Sequence, residues 1–253
     1  MMPNIEVITL VYKSVDYLRF IVGQFKNGSC EVEGWDVGFR VIANDATDEV
    51  LSELEQIDIP YTIFNSIDPE EFYLNRVYSA YNFSAYSSCY ENICMVNSDM
   101  AFGRDWLANL LKHHDGNNIP CSRLVESGKM ASGSHGINLG NQHFGRSPKD
   151  FDETSWEEFS ESVKQDGIVT GGLYMPCVFN TKRFIDAGAF PRGNLFNIDG
   201  TIEVGHANNK PFYMSGDAFF FSEILEKKFG MKHITALDSI VYHIQEGEKD
   251  SFE

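Results

Sequence analysis

The chain has 253 residues, of which 43% are hydrophobic, and it carries a formal net charge of −17 at pH 7. The length and apolar content suffice for a substantial core, whereas the acidic charge argues against binding to a nucleic-acid backbone, which requires a basic surface. The lack of a run of about 18 apolar residues and of a signal-peptide pattern predicts no membrane span and a cytoplasmic location. The five cysteines are scattered without a zinc-binding spacing, so we expect reduced thiols that are mostly buried.

The first half of the chain alternates between patterns typical of strands and patterns typical of helices. Residues 5–11 form a short apolar run, and Ser14 is placed to cap a helix that Asn27-Gly28-Ser29 should end. The other predicted elements are strands at 38–43 and 61–64, a strand ending at residue 96, and helices after residue 48, over 75–89 and after Asp105. Such alternation predicts an α/β fold with a mostly parallel sheet and helices on both faces.

The second half is less regular. Residues 121–170 are rich in Gly, Ser, Asn and His, and we expect a long insertion over the sheet edge, with one amphipathic helix that carries Trp156 and Phe159. The sequence then predicts a strand at 173–179, a short helix capped by Thr181, a helix that begins near Asp217, and a last strand at 240–243. No repeat or Pro-rich linker divides the chain, so we expect a single domain over residues 1–253.

Polar residues stand at the ends of several predicted elements. They are Asn44-Asp45 after the second strand, Asn97-Ser98-Asp99 after the fourth, Asp217 before a late helix and His243 at the end of the last strand. Ligands of open α/β sheets bind at the carboxyl ends of the strands, so these side chains can face a ligand. In so acidic a chain an anionic ligand would need a divalent cation or nearby Arg or Lys, and Asp99 is the leading candidate for binding such a cation. A turn in which Ser98 and Asp99 cap the next helix is the alternative.

The order and spacing of these motifs resemble the family-2 glycosyltransferases of the GT-A fold. In that family a Thr/Tyr-containing loop and an Asp-rich loop precede an Asp-x-Asp motif, an acidic residue on a late helix and a terminal His. The residues of this chain that carry the resemblance are Asn44-Asp45-Ala46-Thr47-Asp48, Asn97-Ser98-Asp99, Asp217 and His243. The resemblance covers nearly the whole chain and implies a Rossmann-like GT-A sheet, with a nucleotide-binding half at 1–115 and an acceptor-binding half with the long insertion at 116–253.

The resemblance also implies an activity. The chain would transfer a hexose-type sugar, with inversion, from a nucleotide-sugar donor such as a UDP-sugar to a hydroxyl acceptor on a saccharide or similar molecule, with Mn²⁺ or Mg²⁺ as cofactor. Asp217 would be the catalytic base, and Asp99 and His243 would bind the metal. The implied nucleotide-binding residues are Thr9, Tyr12, Asn44, Asp45, Arg76, Asn97 and Ser98. Because Asn97 replaces the first Asp of the Asp-x-Asp motif, it is expected to reach the metal only through water or a neighbouring ligand.

Each of these residues also has a structural interpretation. The Asn44-Asp45 loop is compatible with an Asx turn, Asp217 with an acidic residue at a helix N-terminus, and His243 with a hydrogen-bonded strand end. Weaker functional candidates lie in or beside the acceptor-side segments, namely Arg123, Glu126, His135 and Lys210. The sequence His113-His114-Asp115 resembles a metal phosphohydrolase signature, but it lies at the end of a predicted helix, where polar residues suit the helix dipole.

Two other functions are compatible with the sequence. One is a nucleotidyltransferase of similar fold, which usually has a Gly-rich basic loop after its first strand, unlike Val11-Tyr12-Lys13-Ser14 here. The other is a non-catalytic module that binds a saccharide or nucleotide, which the presence of Asn97 keeps open. The chain has neither a Gly-x-Gly-x-x-Gly motif after the first strand nor a Gly-Lys-Ser/Thr loop, so no dinucleotide cofactor or P-loop site is expected.

Overall fold

A computed structural model describes residues 2–68, 71–127, 135–198, 201–205 and 212–244 of the chain. The strands are β1 (Asn4–Val11), β2 (Asp36–Asn44), β3 (Tyr61–Phe64), β4 (Asn92–Asn97), β5 (Met100–Phe102), β6 (Asn118–Glu126), β7 (Ile137–Asn138), β8 (Ile168–Thr170), β9 (Cys177–Asn180), β10 (Asn194–Ile198), β11 (Thr201–Gly205), β12 (Phe212–Met214) and β13 (Lys232–His243). The helices are α1 (Val15–Gln24), α2 (Asp48–Gln56), α3 (Tyr73–Ser87), α4 (Trp106–Leu111), α5 (Glu153–Ser162), α6 (Thr181–Asp186) and α7 (Gly216–Phe219). A wide helical turn, Phe25–Ser29, extends α1, and a π-helix, Phe220–Lys228, extends α7.

The main sheet has the strand order β3-β2-β1-β4-β9-β6-β13-β5, with β7 beside β6 and β8 beside β13. The first four strands in this order run parallel to one another. Strand β9 is antiparallel to both β4 and β6, and β13 is parallel to β6, so β6 and β13 run in the same direction as β4. The carboxyl ends of β1, β2, β4, β6 and β13 therefore lie along one edge of the sheet, which we call the carboxyl edge. A separate antiparallel sheet, β11-β10-β12, was not predicted.

Helices and apolar side chains cover both faces of the main sheet. Successive residues of β1 alternate between the faces, so that Ile5 and Val7 pack with α1 and α2 in one cluster and Ile8 packs with α3 in another. All three side chains are completely buried. Burial on both faces explains the nearly continuous apolar runs of the parallel strands.

The elements of the first half are confirmed almost residue by residue. Ser14 caps α1 as predicted, because its Oγ accepts a hydrogen bond of 3.2 Å from the Tyr17 backbone N–H. Gly28 ends the turn after α1 with a positive φ of 87°, a conformation that glycine adopts readily. The helix predicted after Asp105 is α4, but Asp105 at its N-cap position has a φ of 58° and its side chain makes no capping hydrogen bond.

The structure corrects the prediction that an irregular insertion begins at residue 121. Residues 118–126 instead form β6, in the middle of the sheet between β9 and β13. The polar residues that interrupt its apolar pattern have partners far away in sequence. Ser122 hydrogen bonds with Ser239 at 2.8 Å, and the Arg123 Nε donates to the His135 carbonyl at 3.0 Å. Partners of this kind remove the cost of burying polar atoms, but a local sequence pattern does not reveal them.

Other differences concern element boundaries. The last strand begins at Lys232 rather than at residue 240, and its pairing with β6 is interrupted by a bulge between Ala236 and Ile240. The strand predicted at 173–179 is shorter, Cys177–Asn180. Helix α6 is capped by Asn180 rather than by Thr181, since the Asn180 side chain accepts from the Arg183 N–H at 3.1 Å.

The cysteines agree with the sequence-based expectation. All five thiols are free, and four of them are buried, while Cys89 is exposed. Burial raises the pKa of the Cys94 and Cys121 thiols, as expected for apolar surroundings. In the described segments no helix is both long enough and apolar enough to cross a bilayer.

His233 connects the start of β13 to the chain segment before β9. Its ring packs against Tyr174 and Phe221, with centroid distances of 5.7 and 4.6 Å, and its Nε2 lies 3.0 Å from the Leu173 carbonyl. Only 4% of the residue is exposed. Burial lowers the pKa of His233 from 6.5 to about 4.

We expect this histidine to make the stability of the protein decrease in mild acid. Between pH 6.5 and 4 the unfolded state binds a proton that the folded state does not bind, so the free energy of unfolding falls as the pH falls. The loss from this one residue is about 2 kcal/mol between pH 7 and pH 5. Urea unfolding at pH 7 and pH 5 measures this loss of unfolding free energy. The variant His233→Gln keeps a hydrogen-bond donor but does not titrate, so its loss should be smaller than that of the wild type by about 2 kcal/mol. Equal losses in the two proteins would contradict the assignment.

Candidate active site

The loop after β2 holds the carboxylate of Asp45 in a fixed position. Asp45 has a positive φ of 49°, which is uncommon outside glycine and most often found for Asn and Asp. Its Oδ1 accepts hydrogen bonds from the Ser66 backbone N–H at 2.6 Å and from the Ser66 hydroxyl at 2.9 Å. Its Oδ2 lies 3.4 Å from Nη1 of Arg76, at the start of α3. Asp45 and Arg76, both predicted to bind nucleotide, are therefore neighbours.

Tyr12 belongs to the same group. The Arg76 guanidinium carbon lies 5.5 Å from the centroid of the Tyr12 ring, and the Lys13 Nζ lies 4.7 Å from it. Both distances fall in the range of cation–π interactions. Two cationic side chains thus lie against the Tyr12 ring in a chain whose net charge is −17, and one of them, Arg76, also pairs with Asp45. They lower the local electrostatic cost of bringing an anionic ligand to this loop.

Several buried polar atoms around this loop have no hydrogen-bond partner among the described residues. They are Thr9 Oγ1, Asn44 Oδ1, Thr47 Oγ1 and Arg76 Nε. Thr9 is completely buried within β1, and Asn44 is 7% exposed. These two predicted nucleotide-binding residues are therefore buried and do not belong to the exposed surface of the loop. Buried polar atoms without partners are rare in folded proteins, and a bound water or a ligand is a common explanation for them.

At the carboxyl edge, His243 lies between two carboxylates. Its Nε2 is 3.1 Å from Oδ2 of Asp99, and its Nδ1 is 2.7 Å from Oε1 of Glu126. The strands place these groups, because His243 is directly opposite Glu126 in the parallel pairing of β13 with β6. The Ile244 N–H also donates to the Asp99 carbonyl at 2.9 Å, which ties the end of β13 to the turn after β4.

The two carboxylates determine the charge of His243. Burial by itself lowers the pKa of this imidazole, but Asp99 and then Glu126 outweigh burial and raise the pKa from 6.5 to about 10. In the absence of other ligands the imidazole is therefore protonated at neutral pH and balances one of the two negative charges. The three side chains are mostly buried, with exposed fractions between 9% and 21%.

The donor atoms of Asp99 and His243 fit a divalent cation. One carboxylate oxygen and one imidazole nitrogen, 3.1 Å apart, are close enough to bind the same ion. Within the described ranges no cluster of three or more His, Cys, Asp or Glu side chains is arranged to hold a metal ion. A cation at this position would accordingly need oxygen ligands from a bound substrate or from water, which is usual for Mg²⁺ and similar ions.

Asn97 is the last residue of β4, Ser98 begins the turn that leads to Asp99, and both are partly exposed. The hydroxyl of Tyr81, on α3, donates to the Val96 carbonyl at 2.9 Å and lies 3.3 Å from Oδ1 of Asn97. Burial, and next the charge of Asp99, raises the pKa of Tyr81 well above its usual value. The Asn97 side chain is therefore in contact with α3, which positions it beside the turn.

Asp217 lies in the first turn of α7, partly exposed. Its Oδ1 accepts hydrogen bonds from the Ser215 hydroxyl and, at 2.7 Å, from the Ala218 N–H. Its own N–H donates to the Tyr78 hydroxyl at 3.3 Å. Among the described residues no hydrogen bond reaches its Oδ2, so this oxygen remains available to a ligand.

Tyrosines surround this carboxylate. Burial, followed by the charge of Asp217, raises the pKa of Tyr73, Tyr78 and Tyr174. These residues come from two separate parts of the chain, since the first two lie on α3 and Tyr174 lies before β9. Asp217 is thus a carboxylate among neutral hydroxyl groups, with no lysine or arginine bound to it in the described part of the chain.

Helix α3 contacts three of the predicted loops. Arg76 pairs with Asp45, Tyr78 bonds to the backbone of Asp217, and Tyr81 bonds to the end of β4, just before the turn that holds Asp99. The structure therefore connects the predicted nucleotide, catalytic and metal-binding segments through one rigid element.

Sequence reasoning missed Ser66 and named Glu126 only as a weak candidate on the acceptor side, not beside His243. Ser66 lies in an irregular segment and gives no local signal. Glu126 is a polar residue at the end of a strand, the same signal that identified Asp99, but β6 had not been predicted. Of the other weak candidates, Arg123 donates to the His135 carbonyl, and Lys210 lies outside the described residues. His114 of the His-His-Asp segment contacts Asn92 at 2.8 Å.

Comparison with known sequences yields no relative. No protein-family model matches the chain. No curated protein sequence matches it either.

Comparison with solved structures is more informative. The mannosyltransferase PcManGT from Pyrobaculum calidifontis, in complex with GDP-Man and Mn²⁺, aligns over 96% of this chain and 57% of its own, with a TM-score of 0.54 and 15% identity. S. aureus TarS 1–349 aligns over 95% of this chain and 60% of its own, with a TM-score of 0.54 and 11% identity. S. aureus TarS 1–349 in complex with UDP aligns over 94% of this chain and 60% of its own, with a TM-score of 0.55 and 12% identity.

These similarities confirm the predicted fold. The chain has a mixed α/β structure with a mostly parallel central sheet, and it matches GT-A glycosyltransferase structures. It spans less than two thirds of the length of each of the three solved chains. At 11–15% identity the likeness concerns the fold, and the function of this chain has to be argued from its own residues.

Gly216, directly before Asp217, lies where no side chain fits. A Cβ atom there would come within 2.2 Å of the Gly193 carbonyl oxygen and 3.0 Å of the Tyr78 ring. We expect Gly216→Ala to destabilise the protein by about 1–3 kcal/mol, because a backbone atom would have to move. Gly23→Ala is the matched control, since no atom lies within 4 Å of its Cβ position in α1 and the helix should gain stability. Urea unfolding compares the two variants, and equal stabilities would contradict the packing at Gly216.

Proposed function

We propose that the chain is a metal-dependent, inverting glycosyltransferase that moves a sugar from a nucleotide-diphosphate donor to a hydroxyl acceptor. The observation that carries the proposal is that helix α3 contacts three groups of one α/β fold. They are Asp45 in the loop at the carboxyl edge, the end of β4 that leads to the Asp99–His243 pair at the same edge, and the backbone of Asp217. Ligands of open α/β sheets bind at this carboxyl edge.

The loop after β2 would bind the nucleotide. Asp45 is oriented by Ser66 and Arg76 and can accept a hydrogen bond from a base or ribose. The Tyr12 ring offers an apolar face, while Arg76 and Lys13 offset phosphate charge. Thr9 and Asn44 would support this loop from below, and Asn97 and Ser98 would line the path to the metal-binding residues.

Asp99 and His243 would hold the divalent ion, either Mn²⁺ or Mg²⁺. The ion would supply positive charge that offsets the charge of the departing diphosphate. Asp99 contributes a carboxylate and His243 an imidazole, and the bond from Glu126 fixes the other side of the ring.

Asp217 would act as the general base. It would take the proton from the acceptor hydroxyl as that oxygen forms a bond to the anomeric carbon of the donor sugar. The bond from the anomeric carbon to the phosphate oxygen breaks at the same time, and its electron pair leaves with the nucleoside diphosphate. Attack from the face opposite the leaving group inverts the anomeric configuration. The exposed Oδ2 of Asp217 and the absence of a bound cation in the described surroundings suit this role.

The solved structures of similar fold guide the choice of donor. PcManGT was captured with GDP-Man and Mn²⁺, and TarS with UDP. UDP-sugars are the first donors to test, because the sequence resemblance favours UDP, and GDP-sugars are the second. The acceptor would contact residues beyond 116, including the segment between β6 and β9.

A non-catalytic binding module is the second candidate. One observation favours it, namely that Asn97 stands where the family has the first Asp of its metal motif and that its side chain contacts Tyr81. Such a module would bind nucleotide-sugars without cleaving them.

The decisive experiment concerns Asp217. We expect the wild-type protein with Mn²⁺ to release UDP or GDP from a donor sugar, slowly with water and faster with an acceptor. Asp217→Asn should reduce the rate by 100-fold or more, since general-base catalysis contributes about 10²–10⁴. Donor binding, measured by thermal stabilisation, should be unchanged.

Glu223→Gln provides the matched control, because Glu223 is an acidic residue on the same helical segment whose partner is Lys227. It should leave the rate unchanged. Full activity of Asp217→Asn would overturn the assignment of the base. Binding of nucleotide-sugars without any release of nucleotide by the wild type would favour the binding module.

A second variant tests the metal-binding residues. We expect Asp99→Ala to abolish the additional thermal stabilisation that Mn²⁺ gives in the presence of UDP or GDP, because one of the two protein ligands is lost. Asp105→Asn, an exposed residue six positions further along, should behave like the wild type. Unchanged Mn²⁺-dependent stabilisation in Asp99→Ala would exclude Asp99 as a ligand.

A further inference from the structure

We propose that Glu126 is a positioning residue for the metal site, which holds the His243 ring so that its Nε2 faces Asp99. This inference rests on the proposed function, because it concerns the same metal-binding residues. Neither the sequence motifs nor the similarity to solved structures assigns a role to Glu126.

The surrounding structure fixes the contact between Glu126 and His243. Its Oε1 lies 2.7 Å from Nδ1 of His243, and the residue is only 7% exposed. The two residues are directly opposite each other at the ends of β6 and β13, so the backbone sets their separation. The Glu126 carbonyl is also fixed, since it accepts from the Leu139 N–H at 2.8 Å.

The chemistry of imidazole explains what this contact does. An ion that binds His243 displaces the Nε2 proton to the solvent, and a histidine that keeps donating its Nδ1–H to a carboxylate then presents the lone pair of Nε2 to the ion. The carboxylate also fixes the rotation of the ring and makes the binding nitrogen more basic. Glu126 is on the opposite side of the ring from Asp99, so it acts through His243 rather than as a ligand of the same ion.

Stability alone does not account for a carboxylate at this position. Backbone pairing already joins β6 to β13 next to it, through Val125 and Tyr242. Removing a carboxylate from water is costly, and an apolar residue of similar size often stabilises a buried position equally well or better. A role in holding His243 gives the buried charge a function that an apolar residue would lack.

The test measures Mn²⁺ binding to the full chain by electron paramagnetic resonance, with UDP or GDP present, whichever stabilises the protein more. We expect Glu126→Ala to weaken Mn²⁺ binding by about 10- to 100-fold, the range typical for such partners of metal ligands. Glu126→Gln keeps an oxygen that accepts the Nδ1–H bond, and it should recover most of the affinity. Nucleotide binding without Mn²⁺ should be the same in all variants.

The matched control is Glu6→Gln. Glu6 is also 7% exposed and pairs with Arg40 at 2.8 Å, but it lies near the amino end of β1, away from the carboxyl edge. The Glu6→Gln variant should have a lower free energy of unfolding and an unchanged affinity for Mn²⁺. Mn²⁺ affinity in Glu126→Ala equal to or tighter than that of the wild type, or a loss in Glu126→Gln as large as in Glu126→Ala, would overturn the inference. A wild-type protein that binds no Mn²⁺ would overturn the metal-binding proposal itself, together with this inference.

Discussion

The common direction of the strands that carry its residues is the constraint on which the candidate site depends. Strands β1, β2, β4, β6 and β13 all end at the carboxyl edge, although β9 runs in the opposite direction between β4 and β6. This arrangement brings together side chains that are distant in sequence. Glu126 and His243 are 117 positions apart, yet they lie opposite each other and share a hydrogen bond. Local chain geometry would not bring them together.

Electrostatics separates the site into parts with different chemistry. The chain carries a net charge of −17, and beside the Tyr12 ring two cations, Lys13 and Arg76, offset this excess, with Arg76 also paired to Asp45. At His243 two carboxylates face one imidazole, which favours a cation. Asp217 lies near tyrosine hydroxyls, and in the described part of the chain no lysine or arginine pairs with it. Helix α3 contacts the first and third of these parts and the turn that leads to the second, so their separations follow from the packing of one helix against the sheet.

The candidate site was predictable where a polar residue directly follows a recognisable strand. Asp45, Asp99 and His243 were identified in this way, and the structure places each at the carboxyl edge. Glu126 was named only as a weak acceptor-side candidate, because Ser122 and Arg123 interrupt the apolar pattern of β6 and their distant partners compensate for burial. Ser66 escaped because an irregular segment has no periodic signal. The catalytic, nucleotide and metal roles of the predicted residues stay predictions until they are measured.

By itself, the sequence determined the alternation of strands and helices, the α/β class, the free thiols and the cap at Ser14, because each depends on residues close together in the chain. Only the tertiary structure decided the order of the strands, the central place of β6, the length of β13 and the second sheet. It also decided which polar groups meet at the carboxyl edge. These features depend on pairings between distant segments, whose energies come from burial and hydrogen bonds that a local pattern does not contain.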